Sequence, residues 1–504
     1  MRLAAVIALA AVAAFASPSA AAEPCSSATS RKVMLTCLLD QSEGILKSDA
    51  AAKDVEVAAA LWIRLNEVSA LAGDAARARR SADRITQGGQ RRLAEARVAV
   101  LRLRKGERPP AVAILEAMQR QPLPAGQVDW AAADILAALG EPRRIAGWLE
   151  ALPADRKADG LLALVRAEQR AGRPGRAEAL LKQFGDGLDN AGTTMIVHTD
   201  TAMAFVAAGR LDAARRMARL MADVDRPRLE ARIALRQDAA GRRAEAEKAL
   251  DALLASAPRS SDARLARAVL AARHGDFAAA QKHFPASLSY DGALLDELLA
   301  ALARGGEGQR ANAMIATMNN SKDKARAFAR LSVLSAKAGK TAEAGGYLPR
   351  ARAILDPLVG LKHGAAAILI DYAEALATTV EAMVALDRAD EARAFTNRLE
   401  IAVQKDPFGL ARPGVMAGLI GTNRAIFAGM VAKGDVLGVR RVVTRDWRAA
   451  AALSAFLDAG LVNQAARIAE WEIPEPLPKT DDFLTVAQYI AEQSRLNETQ
   501  GKMP

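Results

Sequence analysis

The chain has 504 residues, 51% of them hydrophobic and 25% charged, with a formal net charge of +11 and only 4% aromatic residues. That hydrophobic content excludes a disordered chain, and a total of two cysteines excludes a disulfide scaffold. Alanine supplies 117 of the residues; the best helix former, with a side chain small enough for close helix contact, it points to an all-helical protein. The basic excess is mostly Arg interspersed with Asp and Glu, and aromatics for base stacking are scarce. It reads as solvated helix faces and not as a nucleic-acid surface.

Residues 1–22 carry the parts of a cleavable signal peptide. Arg2 is followed by an apolar run from Leu3 to Phe15, and the small residues Ala20 and Ala22 end the segment. The run is too short to span a bilayer as a helix. Cleavage is expected after Ala22, leaving Glu23 first. No later stretch approaches 18 consecutive apolar residues, so no transmembrane anchor is expected and the mature chain is placed in the periplasm. An oxidising compartment makes a disulfide the natural state of Cys25 and Cys37. No His stands beside them and there is no C-x-x-C, so a metal or redox pair fits less well. Residues 23–52 are therefore expected to form a disulfide-tied N-terminal cap.

From 53 to 352 one phrase recurs. A small apolar helix ends in a Gly, and a second helix follows with Ala near its start. The glycines are Gly73, Gly106, Gly140, Gly172, Gly209, Gly241, Gly275, Gly306 and Gly339, at intervals of 31 to 37 residues. Five residues after each stand Ala78, Ala111, Ile145, Ala177, Ala214, Ala246, Ala280, Ala311 and Ala344. Nine after it every position is apolar, from Ala82 to Leu348, and seven before it most are small. The Gly can take the left-handed conformation that ends a helix. The small residues suit a close helix crossing, and the four-residue step keeps two side chains on one helical face. A period near 34 is the mark of a stacked helix-pair solenoid.

The pattern resembles the tetratricopeptide repeat (TPR), with its turn Gly, its Ala early in the second helix and its small residue late in the first. The family's aromatic positions are mostly small here. The resemblance implies an all-α, right-handed α-α superhelix of stacked helix-turn-helix repeats. It also implies a concave face lined by the first helix of each pair. Groove-facing positions in that register are Asp134, Arg166, Gln169, Arg228, Asp238, Asp262, Asp296 and Arg326, with Ala96, Val100, Met203 and Val333 between them.

The period then breaks, and residues 353–472 read as irregular, longer helical pairs continuing the solenoid. A helix is expected from Ala365 to Leu386 and another to about Gln404. Breakers between Asp406 and Gly414 mark a loop, and later turns fall at Gly434 and Gly460. Residues 473–480 are Pro-rich and read as a stiff extended linker. Residues 481–504 are a final helix and tail, which either cap the array or swing free of it.

No catalytic motif survives inspection. Gly339-Lys340-Thr341 echoes the end of a phosphate-binding loop, but Leu334 stands where its first glycine is needed. His198, His274, His283 and His363 have no ligand set around them, and the five Trp are scattered. No catalytic residue, metal site or cofactor is expected. The sequence reads as an exported scaffold presenting a concave groove to a peptide or protein of the cell envelope. A glycan- or small-ligand-binding protein is the alternative, and an enzyme is a third.

Overall fold

The computed structural model describes residues 24–48, 51, 54–121, 123, 127–185, 195–219, 226–285, 292–359, 365–406, 414–443, 446–471 and 476–500. The expected leader lies outside them. Every regular element among the described residues is helical.

The turns explain the repeat. All nine glycines have φ between +67° and +80°. At most of them the amide after the Gly bonds back five residues, as from Asp74 N–H to the Ser69 carbonyl and from Arg242 N–H to that of Gln237. This is the Schellman closure of a helix end, which needs a left-handed residue. The residue after the Gly also opens the next helix. Asp74 and Asp276 accept the amides of Arg77 and Ala279 through their side chains, as N-caps do. The positions five after, nine after and seven before the glycines are all buried. Where the last of these is polar, it reaches across the pair. Asn66 Nδ2 donates to the Ala78 carbonyl at 2.7 Å, and Ser332 Oγ donates to that of Ala344 at 2.8 Å.

The same register continues beyond 352. Gly434 and Gly460 are left-handed, and so is Asp387 at φ +60°. The residues five after them, Ala392, Val439 and Ala465, are buried. The irregularity lies in the lengths between turns and not in the packing rule. The long helix expected from Ala365 is interrupted at Tyr372, giving Ala365–Asp371 and Ala373–Ala385. The expected loop after Asp406 falls largely on residues 407–413, outside those described.

Thirteen first helices follow one another: Val55–Leu71, Gly88–Arg104, Trp130–Leu139, Lys157–Arg170, Met195–Ala207, Arg226–Ala239, Ser261–Arg273, Gly292–Arg304, Ser321–Lys337, Ala373–Ala385, Val415–Ala432, Asp446–Asp458 and Pro476–Gln500. Each packs beside the next, whereas second helices touch their neighbours at few places. A close-packed layer backed by a splayed one must curve with the close-packed layer inside. The curve closes, because the last of the thirteen lies against the first. Val415–Ala432 is long and apolar enough to cross a membrane, but half of it is buried within the protein.

Closure uses both chain ends. Among the described residues no second helix follows the closing helix Pro476–Gln500, and no first helix precedes the leading helix Arg31–Leu46. They pack together and complete a thirteenth pair in space. Phe483, Leu484, Ala487 and Ile490 share one apolar core with Met34, Leu38, Leu39, Leu61 and Leu65. Arg64 pairs with Asp481 and donates to Thr485 Oγ1 at 2.5 Å. The final helix is thus docked, and the two expected caps seal each other. The closing helix begins at Pro476, so residues 476–480 of the expected linker are helical, and 473–475 lie outside the described residues. Proline costs little there, because the first amides of a helix have no intrahelical acceptor. Cys25 and Cys37 form a disulfide, which folds the segment from Pro24 back along the leading helix.

Candidate interaction surface

The inner layer is laced by ion pairs between successive first helices. Arg97 pairs with Glu67, Arg170 with Asp134, Arg273 with Asp238 and Glu297, Arg330 with Asp296, Lys337 with Glu381, and Arg424 with Asp458. Arg64 with Asp481 carries the ladder across the closure. Most of these partners stand about one repeat apart in sequence, so each pair ties one repeat to the next.

The expected groove residues sit on this layer, but most are engaged in building it. Asp134 accepts from Arg170, and burial raises its carboxyl above the usual value against the pull of that Arg. The Arg166 guanidinium lies 5.7 Å from the Trp130 ring centre. Burial, with Arg170 nearby, lowers its pKa. Gln169 donates to the Thr201 carbonyl at 2.9 Å. Asp238 is held by Arg273 at 2.8 Å and by His274 Nε2 at 2.7 Å. Burial opposes its charge, yet those two hydrogen bonds prevail and hold its carboxyl below the usual value. Arg326 joins Asp296 at 3.0 Å and Glu374 at 2.8 Å, and burial raises the Asp296 carboxyl. Two expected sites, Asp296 and Arg326, therefore meet each other. Asp262 is half-buried in the first turn of its helix, and Arg228 is exposed. Of the residues expected between them, Ala96 and Val333 are buried in the helix packing and do not line a groove. Val100 and Met203 are half-buried.

Several buried carboxylates lie outside the expected set, and Glu43 and Glu400 are the two that tie helices together most densely. Glu43 of the leading helix accepts from Arg77 Nε at 3.0 Å, Arg80 Nε at 2.8 Å and Lys47 Nζ at 2.7 Å. The Arg80 bond, with Lys47 assisting against burial, lowers its pKa to about 2. Glu400 accepts from Asn423 at 2.8 Å, Trp447 Nε1 at 3.1 Å and Arg448 at 2.8 Å, tying three helices together. Opposite charges one repeat apart were a usable signal for the ladder, whereas nothing local marks these two. Trp62 and Trp447 are buried, and Trp130 and Trp148 are half-buried. The described tryptophans thus offer no exposed row for stacking sugars. No group of three metal-ligating side chains occurs among the described residues.

No family profile matches the sequence, and neither does any curated protein. Similar solved structures include the anaphase-promoting complex hetero-tetramer Cut9–Hcn1, at 13% identity over 91% of this chain and 96% of that one, with a TM-score of 0.22. They also include the pentatricopeptide repeat protein PPR10 from maize, at 12% identity over 93% and 88%, with a TM-score of 0.18. A third is Naa15/Naa10 bound to HypK-THB, at 14% identity over 94% and 80%, with a TM-score of 0.23. Superpositions this loose carry no functional argument, and the architecture rests on the chain's own turns and spacings. On those it is a TPR-like, all-α solenoid of stacked helix pairs, closed end to end.

Proposed function

We propose that this protein is an exported interaction scaffold whose inner layer of first helices holds a peptide or protein of the cell envelope. The observation that carries the reading is the continuous inner layer itself. Its helices are locked to one another by core packing and ion pairs, so its polar surface is presented in a fixed geometry. A rigid surface loses little entropy on binding. The envelope assignment rests on the leader in the sequence and on the two cysteines, which are joined as an oxidising compartment would join them. Arg326 is a poor probe of partner capture, because it also joins Asp296 to Glu374. A photo-crosslinking residue at exposed Ala204 or Arg228, on first helices, is the better test, with exposed Lys248 on a second helix as the control. Capture of one envelope protein in cells from the first two positions and not from the third is expected. Capture from Lys248 alone, or from none of the three, rejects the inner layer as the binding face.

A further inference from the structure

We propose that the Cys25–Cys37 disulfide is a latch on the ring: its reduction loosens the composite thirteenth pair while the other twelve pairs stay folded. The inference is independent of what the scaffold binds. The disulfide lies beside the contact between the leading and closing helices, which come from opposite ends of the described chain. It fixes the short segment beginning at Pro24 against three elements at once. Ser26 donates through its amide to Glu470 Oε1 at 3.0 Å and through its hydroxyl to Oε2 at 2.5 Å. Glu470 ends the last in-line second helix, and its carbonyl accepts from Lys479 of the closing helix at 2.7 Å. Pro24 roofs a cleft of about 390 Å³ with Gln41, Ile45, Lys479 and Phe483. Leading segment, leading helix, last second helix and closing helix therefore meet in one junction. When the segment leaves, Glu470 loses both bonds from Ser26 and one wall of the cleft is gone.

The chemistry is asymmetric. Cys37 is half-buried, whereas Cys25 is 1% exposed. A dithiol reductant therefore attacks the Cys37 sulfur and expels Cys25 as a thiolate, which takes up a proton. The second thiol of the reductant then displaces Cys37 as its thiol, and the reductant leaves as a cyclic disulfide.

The test is hydrogen exchange on the full-length mature protein, oxidised and after dithiothreitol treatment. Amides of residues 31–46 and 479–490 should exchange on the order of a hundredfold faster after reduction, the factor expected from losing a cross-link over so short a loop. Amides between 226 and 351 should not change. The Cys25→Ser, Cys37→Ser double variant should reproduce the reduced pattern without reductant. Unchanged protection at 479–490 overturns the latch and leaves the disulfide a local tie. Loss of protection throughout the array overturns it equally, as does a double variant that behaves like the oxidised protein.

Discussion

Replacing Glu43 by Gln removes the charge that fixes the leading helix to the second helix Ala75–Arg84. The side chain is 7% exposed and faces Arg77, equally buried, with Arg80 and Lys47 on the solvent side. Its folded-state pKa is lowered from 4.5 to about 2, with the Arg80 bond the largest cause. A depressed carboxylate contributes stability that is fully present above its unfolded value. That contribution fades as the pH falls from 4.5 towards 2. A difference of roughly 2.5 pKa units corresponds to about 3 kcal/mol. Glu43→Gln should therefore cost about 3 kcal/mol at pH 7. The gap between wild type and variant should shrink to about half by pH 3. Urea unfolding followed by far-UV circular dichroism measures the total. Hydrogen exchange at residues 31–46 assigns it to the leading helix, which matters because helix arrays can unfold piecewise. A gap under about 0.5 kcal/mol at pH 7 would show that the network is a surface pair of little worth. A gap that does not change between pH 7 and pH 3 would show that charge is not its cause.

Other substitutions test the turns and the two classes of ion pair. Gly241 has φ +80° and an added Cβ would meet nothing within 4 Å, so Gly241→Ala should cost about 1–2 kcal/mol from backbone strain alone. Gly346 lies within the helix Thr341–Val359 in open space, so Gly346→Ala should stabilise by about 0.5–1 kcal/mol. Opposite shifts in thermal midpoint are the readout, and shifts of one sign would undo the turn argument. Glu400→Ala leaves Arg448 and Trp447 without their buried acceptor and should cost about 3–5 kcal/mol by urea unfolding. Arg424→Ala breaks an exposed pair with Asp458 and should cost no more than about 1 kcal/mol. Equal losses for the two would mean that burial does not set their worth.

How much of this was legible follows from the range of each interaction. The turn glycine, the buried Ala five residues on and the second-helix caps are local, so a repeated spacing exposes them. The turn after Leu386 is legible as well, although Asp387 and not a glycine fills its left-handed position. The ladder was half legible. Asp134, Asp238, Asp296 and Arg326 fall on the first helices by register, but which charge meets which, 30–36 residues away, depends on the stacking of the repeats. The closure left no local trace. Ser26 and Glu470 are 444 residues apart, and Arg64 and Asp481 are 417 apart. No periodicity links such positions. The pairing of the leading helix with the closing helix is therefore seen only in the structure.

That pairing predicts that the order of the chain can be changed without changing the fold. The later residues of the leading helix, Gln41 and Ile45, line one cleft with Lys479 and Phe483 from the first turns of the closing helix, against which it packs. The two helices therefore run in opposite senses, as the two helices of an ordinary repeat do. A short Gly-containing turn can join the end of the closing helix to Arg31, with new termini between Ser48 and Asp54. This permutant makes the thirteenth pair continuous and moves the break in the ring to the other side of the leading helix. The apolar core of the junction is kept, and only the entropy of one short loop changes, which is worth about 1 kcal/mol or less per doubling of loop length. The permutant, lacking Cys25, should match the native helicity and melt within a few degrees of the oxidised native protein. Hydrogen exchange at 479–490 should no longer respond to reductant. A permutant that folds but leaves those amides unprotected would mean that the leading and closing helices do not form a repeat, and the ring would lose its thirteenth member.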